Sequence, residues 1–334
     1  MSFTQIESPQ IQQAIKNTAN DRGFLTMAEF SKIALYHPKF GYYTRNQRRV
    51  GKSPETDFYT STTLRETFAP AIAEAAAKLL EKTSLRPESV TFTEIGSEPE
   101  ASLLRDFDHP FSQAETIRIG QTKRLAGPQI VFSNELFDAQ PWHTIVFKNG
   151  SWQERVVEVS PEGLHFALRP PISTEVLSVL DQVPDPAPEG YTIDLPTLTI
   201  PLIDSILAQD WSGAFIAFDY GKTWRALTHD TPYGTARAYS RHKQKPQLLE
   251  SIGEQDLTVH ICWDWLEERL EAHDFENIEL LSQEAFFVHH APKLMQAAFS
   301  SENNPLSKIR SQLRQLIHPS LMGQKFQVLL GTRN

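Results

Sequence analysis

"VTFTEIGSEPEASLLRD", Val90 to Asp106, is the stretch on which the reading of this chain turns. Val90, Phe92 and Ile95 give the apolar content of a buried strand, Glu94 places an acid near its end, and Gly96 closes it. The run through Leu103 and Leu104 then reads as helical. A strand, an acidic residue, a glycine and a helix are how many nucleotide-type cofactor loops begin. The next positions of such a loop are glycines, and here they are Ser97, Glu98, Pro99 and Glu100. The stretch is therefore an altered cofactor loop, a cofactor loop that has lost its ligand, or a plain connection.

Working outward, short apolar strands are expected at 90–95, 130–133 and 214–219, each followed by a polar loop. Helical or mixed segments separate them, which predicts an α/β fold with a mostly parallel sheet. Amphipathic helices are expected at 9–19 and 26–36, the second started by Thr26 as N-cap with Glu29 as its acidic partner. Pro38 and Gly41 end it. An alanine-rich helix from Thr67 to Glu81 suits close packing. Between 143 and 169 the pattern switches to alternation around Asn149-Gly150, a strong hairpin signal. "PDPAPEG" at 184–190 reads as an exposed connection. The expected organisation is an N-terminal helical region at 1–60 and an α/β domain at 61–334, with an antiparallel β subdomain inserted at about 143–200.

Composition narrows the function. The chain has 334 residues, 40% hydrophobic and 22% charged, with a net charge of −9. That balance argues against a nucleic-acid partner, which favours basic surfaces. The one cysteine, Cys262, forms no internal disulfide and reads as a small core residue. No apolar run approaches the ~18 residues of a membrane span. Glu7 and Asp21 do not fit a signal or transit peptide, so a soluble, cytoplasmic protein is expected. There is no P-loop lysine motif and no metal-type cysteine cluster, and His289-His290 lacks partners at ligand spacing, so no metal site is expected. Arg237, Arg241, His242, Lys243 and Lys245 form a basic cluster. It is either a protein-partner surface or a balance for nearby acidic loops.

In open parallel sheets ligands sit at the carboxyl ends of the strands. Three such ends carry polar residues: Glu94-Ile95-Gly96, Ser133-Asn134-Glu135 and Asp219-Tyr220-Gly221. Each alone reads as a turn with capping groups. Together they make an acidic and amide rim suited to a cationic sulfonium cofactor or a guanidinium substrate.

At this point the sequence resembles a known family. "GFLTMAEFSKIALYHPKFGYYT", "DFYTS", "SNELFDAQP", "WQERVV", "FDYG", "ARAYSRH", "ESIGEQDLTVHI" and "LIHPSLMGQKFQVLL" follow one another as in the MidA-like S-adenosylmethionine-dependent methyltransferases. These are relatives of the mitochondrial complex I assembly-factor protein arginine methyltransferases. The resemblance implies a class I, Rossmann-like fold: a seven-stranded doubly wound sheet with N-terminal helices and an inserted β subdomain. It implies S-adenosylmethionine as cofactor and a protein partner whose arginine accepts the methyl group. Carried over residue by residue, Glu94 and Gly96 match the first cofactor motif. Asp57, Thr60 and Ser61 match a block beside the cofactor, as does Phe58. Asn134 joins the cofactor side, while Glu135 and Asp138 match the block that faces the methyl acceptor. Asp256, Thr258 and His260 match a block on the other side of the cleft, with His260 a candidate catalytic residue.

Two departures stand against the family pattern. Glu98 and Glu100 replace the second and third glycines, where a left-handed backbone costs a side chain ~1–2 kcal/mol. Repulsion of the cofactor's carboxylate adds roughly 1–4 kcal/mol at contact distance. In addition, "AETIRIGQ" supplies no carboxylate for the ribose hydroxyls, and Gln121 is the nearest polar substitute. Two functions stay open: an active methyltransferase with an altered loop, or an inactive member that keeps the fold and serves as a protein-binding or assembly factor.

Overall fold

In the computed structural model, which describes residues 3–4, 6, 8–45, 61–97, 102–118, 121, 124–241, 243–300 and 308–334, the chain divides into two units built from interleaved stretches. One comprises Gln47–Leu136, Leu202–Gly221 and Trp265–Asn334; the other comprises Met1–Asn46, Phe137–Pro201 and Lys222–Asp264.

The first of these is the α/β unit. Its sheet runs, strand by strand, Glu276–Ser282, Gln327–Arg333, Trp211–Asp219, Gly127–Asn134, Thr91–Ile95, Gln113–Ile117. The last four are mutually parallel. Gln327–Arg333 is antiparallel to both its neighbours. Among the described residues the sheet therefore has six strands, one fewer than the family resemblance implies. From Thr91–Ile95 the chain goes first to Gln113–Ile117 on one side and then to Gly127–Asn134 on the other. The order reverses there, and the crevice outside the carboxyl ends at such a switch point is where open α/β sheets bind ligands.

Aromatic side chains weld this sheet to its helices. Phe92, Phe132 and Phe218 are fully buried on consecutive strands, with ring centroids 5.6 Å apart for the first pair and 5.9 Å for the second. Phe68 of the helix Arg65–Leu79 meets Phe218 edge-on at 5.4 Å. Burying each such ring stabilises the fold by about 1.5–3 kcal/mol. Ala69, Ala71, Ala75 and Ala76 on that helix are also buried, so its small side chains do permit close packing.

The helical run expected through Leu103 and Leu104 does not form; residues 102–112 are bends and turns. The backbone groups of Leu103 are committed elsewhere. Its N–H donates to Glu94 Oε2 at 2.7 Å, and its carbonyl accepts from Arg65 Nε at 2.9 Å.

The other unit is built on an antiparallel sheet in the order Phe24–Thr26, Ser151–Ser160, His143–Lys148, Thr192–Leu195, with Gly163–Arg169 also paired to Ser151–Ser160. The Asn149-Gly150 turn joins its central hairpin with φ of 52° and 78°, the positive values a type I′ turn requires. Thr26 and Glu29 form the expected capping box: Glu29 N–H donates to Thr26 Oγ1 at 3.1 Å and Thr26 N–H to Glu29 Oε2 at 2.9 Å. The stretch Met1–Asn46 groups with Phe137–Pro201 in this unit. Phe24–Thr26 adds as an edge strand to Ser151–Ser160, so the N-terminal helices Pro9–Ala19 and Met27–Tyr36 belong with the inserted β subdomain. A second sheet in this unit places Arg237–Ser240 between Lys243–Lys245 and Asp256–Thr258.

Candidate functional site

In the α/β unit, adjacent parallel strands bring Ile95 opposite Ser133, so the ends carrying Glu94, Gly96, Asn134 and Glu135 converge at the switch point. Gly96 has φ +82° and its N–H donates to Ile117 O at 2.9 Å. A Cβ there would lie 2.8 Å from Leu136 Cδ1, so only glycine suits this position without a shift. Glu94 is 6% exposed. Burial pushes its carboxyl up to about 7, against the opposing pull of the Leu103 N–H and the Arg65 charge.

Glu135 takes a left-handed backbone, φ 53°, which costs a non-glycine residue roughly 1–2 kcal/mol. Hydrogen bonds hold it there. Its N–H donates to Phe218 O at 2.9 Å, and its carboxylate accepts from Asn134 Nδ2 at 3.0 Å and from the Tyr220 hydroxyl at 3.2 Å. Strained residues that their surroundings fix in this way cluster at functional sites. Beside it, Asn134 Oδ1 and Ser133 Oγ are buried with no hydrogen-bond partner among the described residues, and so is Ser97 Oγ beyond Gly96. Buried polar atoms without partners are uncommon in folded proteins. These three gather on two neighbouring strand ends. At the end of Gln113–Ile117 no carboxylate follows, and Gln121 Oε1 already accepts from Arg118 N–H at 3.1 Å.

Asp138 and His260 belong to the other unit. There the buried Asp138 and Asp256 flank two tyrosines. Tyr43 donates its hydroxyl to Asp256 Oδ1 at 2.8 Å, Tyr36 donates to Ala139 O at 2.9 Å, and their rings stack with centroids 5.7 Å apart. Burial first, then the charges of Asp256 and Asp138, raise both phenols well above their ordinary pKa, so neither ionises. Val259 N–H donates to Asp138 O at 2.9 Å, tying the two family-like blocks together. His260 receives support from Thr235, whose Oγ1 accepts from the His260 N–H at 3.2 Å. Burial and the charges of Lys222 and Arg237 lower its imidazole to about 4, with Asp194 opposing. His260 is thus neutral at physiological pH and a weak base.

The remaining expected site residues fall out differently. Asp57, Phe58, Thr60, Glu98 and Glu100 lie outside the described residues. Ser61 is fully buried and donates to Gln283 Oε1 at 3.1 Å, which makes it a tie to the helix Gln283–His290. Among the described residues no cluster of histidine, cysteine, aspartate and glutamate could hold a metal ion, and no helix is long and apolar enough to cross a membrane. Sequence reading places Tyr220 at a strand end, and Tyr36 and Tyr43 in a family-like block, without giving any of them a role. The "FDYG" block carries a signal for the first and "GFLTMAEFSKIALYHPKFGYYT" for the other two.

This combination of sheet order and rim defines an α/β methyltransferase fold, and comparison with known proteins agrees. Residues 61–279, more than half of the chain, match the family described as "Putative S-adenosyl-L-methionine-dependent methyltransferase". The chain belongs to that family, whose cofactor is S-adenosylmethionine. It is 28% identical over 215 residues to the Danio rerio mitochondrial protein arginine methyltransferase NDUFAF7, covering 60% of this chain and 46% of that one. The chain thus spans about half the length of the curated relative it matches. A Burkholderia thailandensis protein crystallised with S-adenosyl-homocysteine superposes with a TM-score of 0.81 at 20% identity, over 98% of this chain and 95% of that one. A native crystal structure from the same organism gives 0.77 at 19% identity, with the same coverage of both chains. Those two likenesses establish the fold.

Proposed function

We propose that this protein transfers the methyl group of S-adenosylmethionine to an arginine side chain of a protein partner. The observation that carries the reading is the rim at the switch point, where a strained, hydrogen-bonded Glu135 stands beside the unpartnered Asn134 Oδ1 and Ser133 Oγ. Such acceptors and hydroxyls fit a ligand with an amino group and ribose hydroxyls, and Gly96 suits the positive-φ turn that begins the loop beside them. When bound, S-adenosylmethionine supplies an electrophilic methyl on a sulfonium. The residues of the chain then have the task of alignment, which accounts for most of the catalysis such a transfer needs. Glu135, fixed by Asn134 and Tyr220, is suited to orient a guanidinium through charge-assisted hydrogen bonds. Asp138 and His260 are assigned to the acceptor side on the family blocks they match; His260 serves there as a neutral hydrogen-bonding group. The name of the Danio rerio relative supports arginine as the acceptor.

Calorimetric titration of ligand-free protein with S-adenosylmethionine and S-adenosyl-homocysteine tests this reading. Micromolar binding that is weakened in Asn134→Ala is the expected result. No heat up to millimolar ligand, in protein shown to be folded, would overturn it and leave the inactive, partner-binding family member as the better account.

A further inference from the structure

A cavity of about 430 Å³ lies wholly within the unit that contains the inserted sheet, and its walls carry Arg155, His165, Arg237 and Lys245. Among the described residues no aspartate or glutamate lines it. Two arginines and a lysine on one wall stand out in a chain of net charge −9. Among the described residues neither Arg155 nor Lys245 forms an ion pair. Arg237 donates to the Ala236 carbonyl at 2.7 Å. The charge of Asp194 acts on Arg155, opposing the effect of its burial. The oxygens of Asp194 are already taken: Oδ1 accepts from Thr144 Oγ1 at 2.5 Å, and Oδ2 from the N–H groups of Thr235 and Ala236 at 2.7 and 2.8 Å.

Arg155 is partly buried, with its guanidinium 5.3 Å from the Phe166 ring centroid, and burial lowers its pKa. A desolvated cation held without a carboxylate partner is costly unless something pairs it. His165 is packed into the same wall. It is 7% exposed, its Nε2 lies 3.2 Å from Glu158 Oε2, and its Nδ1 is buried with no partner among the described residues. Arg155 thus lacks, among the described residues, the carboxylate partner that a ligand would bring.

The rest of the wall says what kind of ligand. Phe166, Leu248 and Leu249 make part of it apolar, and the volume is that of a side-chain or small-ligand pocket, well beyond what one inorganic anion fills. Lys245 also ends the strand Lys243–Lys245, which is exposed and forms an outer edge of its three-stranded sheet. Such an edge accepts an extended peptide as an added strand, with alternate side chains directed into neighbouring pockets.

We propose that this cavity is a recognition site for an acidic segment of a protein partner, docked in extended form along Lys243–Lys245 with a carboxylate side chain seated among Arg155, Arg237 and Lys245. Nothing in it depends on methyl transfer, so it stands or falls separately from the cofactor reading.

The test is fluorescence anisotropy on the full chain with a labelled peptide of alternating glutamate and valine. The control is the peptide with glutamine in place of each glutamate. Binding of the glutamate peptide about tenfold tighter than the control, weakening as salt is raised, is expected, since hydrogen bonds to charged groups outlast screening only in part. Arg155→Gln should weaken it about tenfold and Arg155→Lys less. Lys245→Gln, at an exposed position that leaves the fold intact, should weaken it several-fold. Equal binding of the two peptides, or unchanged affinity in Lys245→Gln and Arg155→Gln together, would overturn the proposal. So would displacement of the peptide by sub-millimolar inorganic phosphate, which would mark a small-anion site instead.

Discussion

Glu94 and Glu135 lie near the carboxyl ends of neighbouring parallel strands in one sheet, and their surroundings give them different work. Glu94 is buried and spends its carboxyl on the Leu103 N–H, fastening the far end of the loop that begins at Gly96. Glu135 is half-buried, held from both sides by Asn134 and Tyr220, and its backbone is strained to keep it there. One carboxyl serves the shape of the loop; the other is steadied at the rim, where we propose that it meets the methyl acceptor. The lesson is that an acidic residue at a strand end is not by itself a ligand-binding group. What decides is whether its oxygens are consumed by the backbone or steadied with room for more.

The largest expected effect comes from the buried partner of this pair. The folded-state pKa of Glu94 is raised from 4.5 to about 7. A raised pKa means stability that is fully present below pH 4.5 and is lost as pH rises through about 7. The loss amounts to about 3 kcal/mol by pH 8, since each pKa unit corresponds to 1.36 kcal/mol. Glu94→Gln removes that loss, so the difference in denaturation free energy between variant and parent should change by this amount between pH 4.5 and pH 8. A pH-independent difference would break the comparison.

Glu135→Gln should leave stability nearly unchanged and lower methyl transfer by roughly tenfold to a hundredfold, the ~1.5–3 kcal/mol of a hydrogen bond to a charged group. Single-turnover kinetics with labelled S-adenosylmethionine reads it, and a loss of stability without loss of rate would assign Glu135 to the fold instead. Smallest is Gly96→Ala. Forcing a side chain to φ +82°, with Leu136 Cδ1 2.8 Å from its Cβ, should lower stability by about 1–2 kcal/mol. The denaturant midpoint at constant slope measures it. An unchanged midpoint would mean that the loop relaxes freely and that Glu94 does not fasten it.

Much of the fold is legible in the order of the residues alone. The capping box at Thr26 and Glu29, the positive-φ hairpin at Asn149-Gly150 and the strands that end at Ile95, Asn134 and Asp219 all follow from residues a few positions apart. Short-range rules govern them: a side chain that satisfies a nearby N–H, a backbone angle that only certain residues adopt, an alternation that buries one face. The rule that ligands sit at the carboxyl ends of parallel strands puts Glu94, Gly96, Asn134 and Glu135 on one rim, and the parallel register of their strands brings them together.

Other features need the folded chain. Leu103 reads as helical by composition, yet its backbone is drawn off by Glu94 and Arg65, which no local pattern records. Phe24–Thr26 joins the sheet of Ser151–Ser160, Tyr43 reaches Asp256 across 213 positions of sequence, and Arg155 shares a cavity with Lys245. By itself the sequence determined the elements, their order and the chemistry at the strand ends, because those depend on neighbours along the chain. Only the tertiary structure decided which polar groups consume one another and which are left unpartnered, because that depends on desolvation by residues far away in sequence.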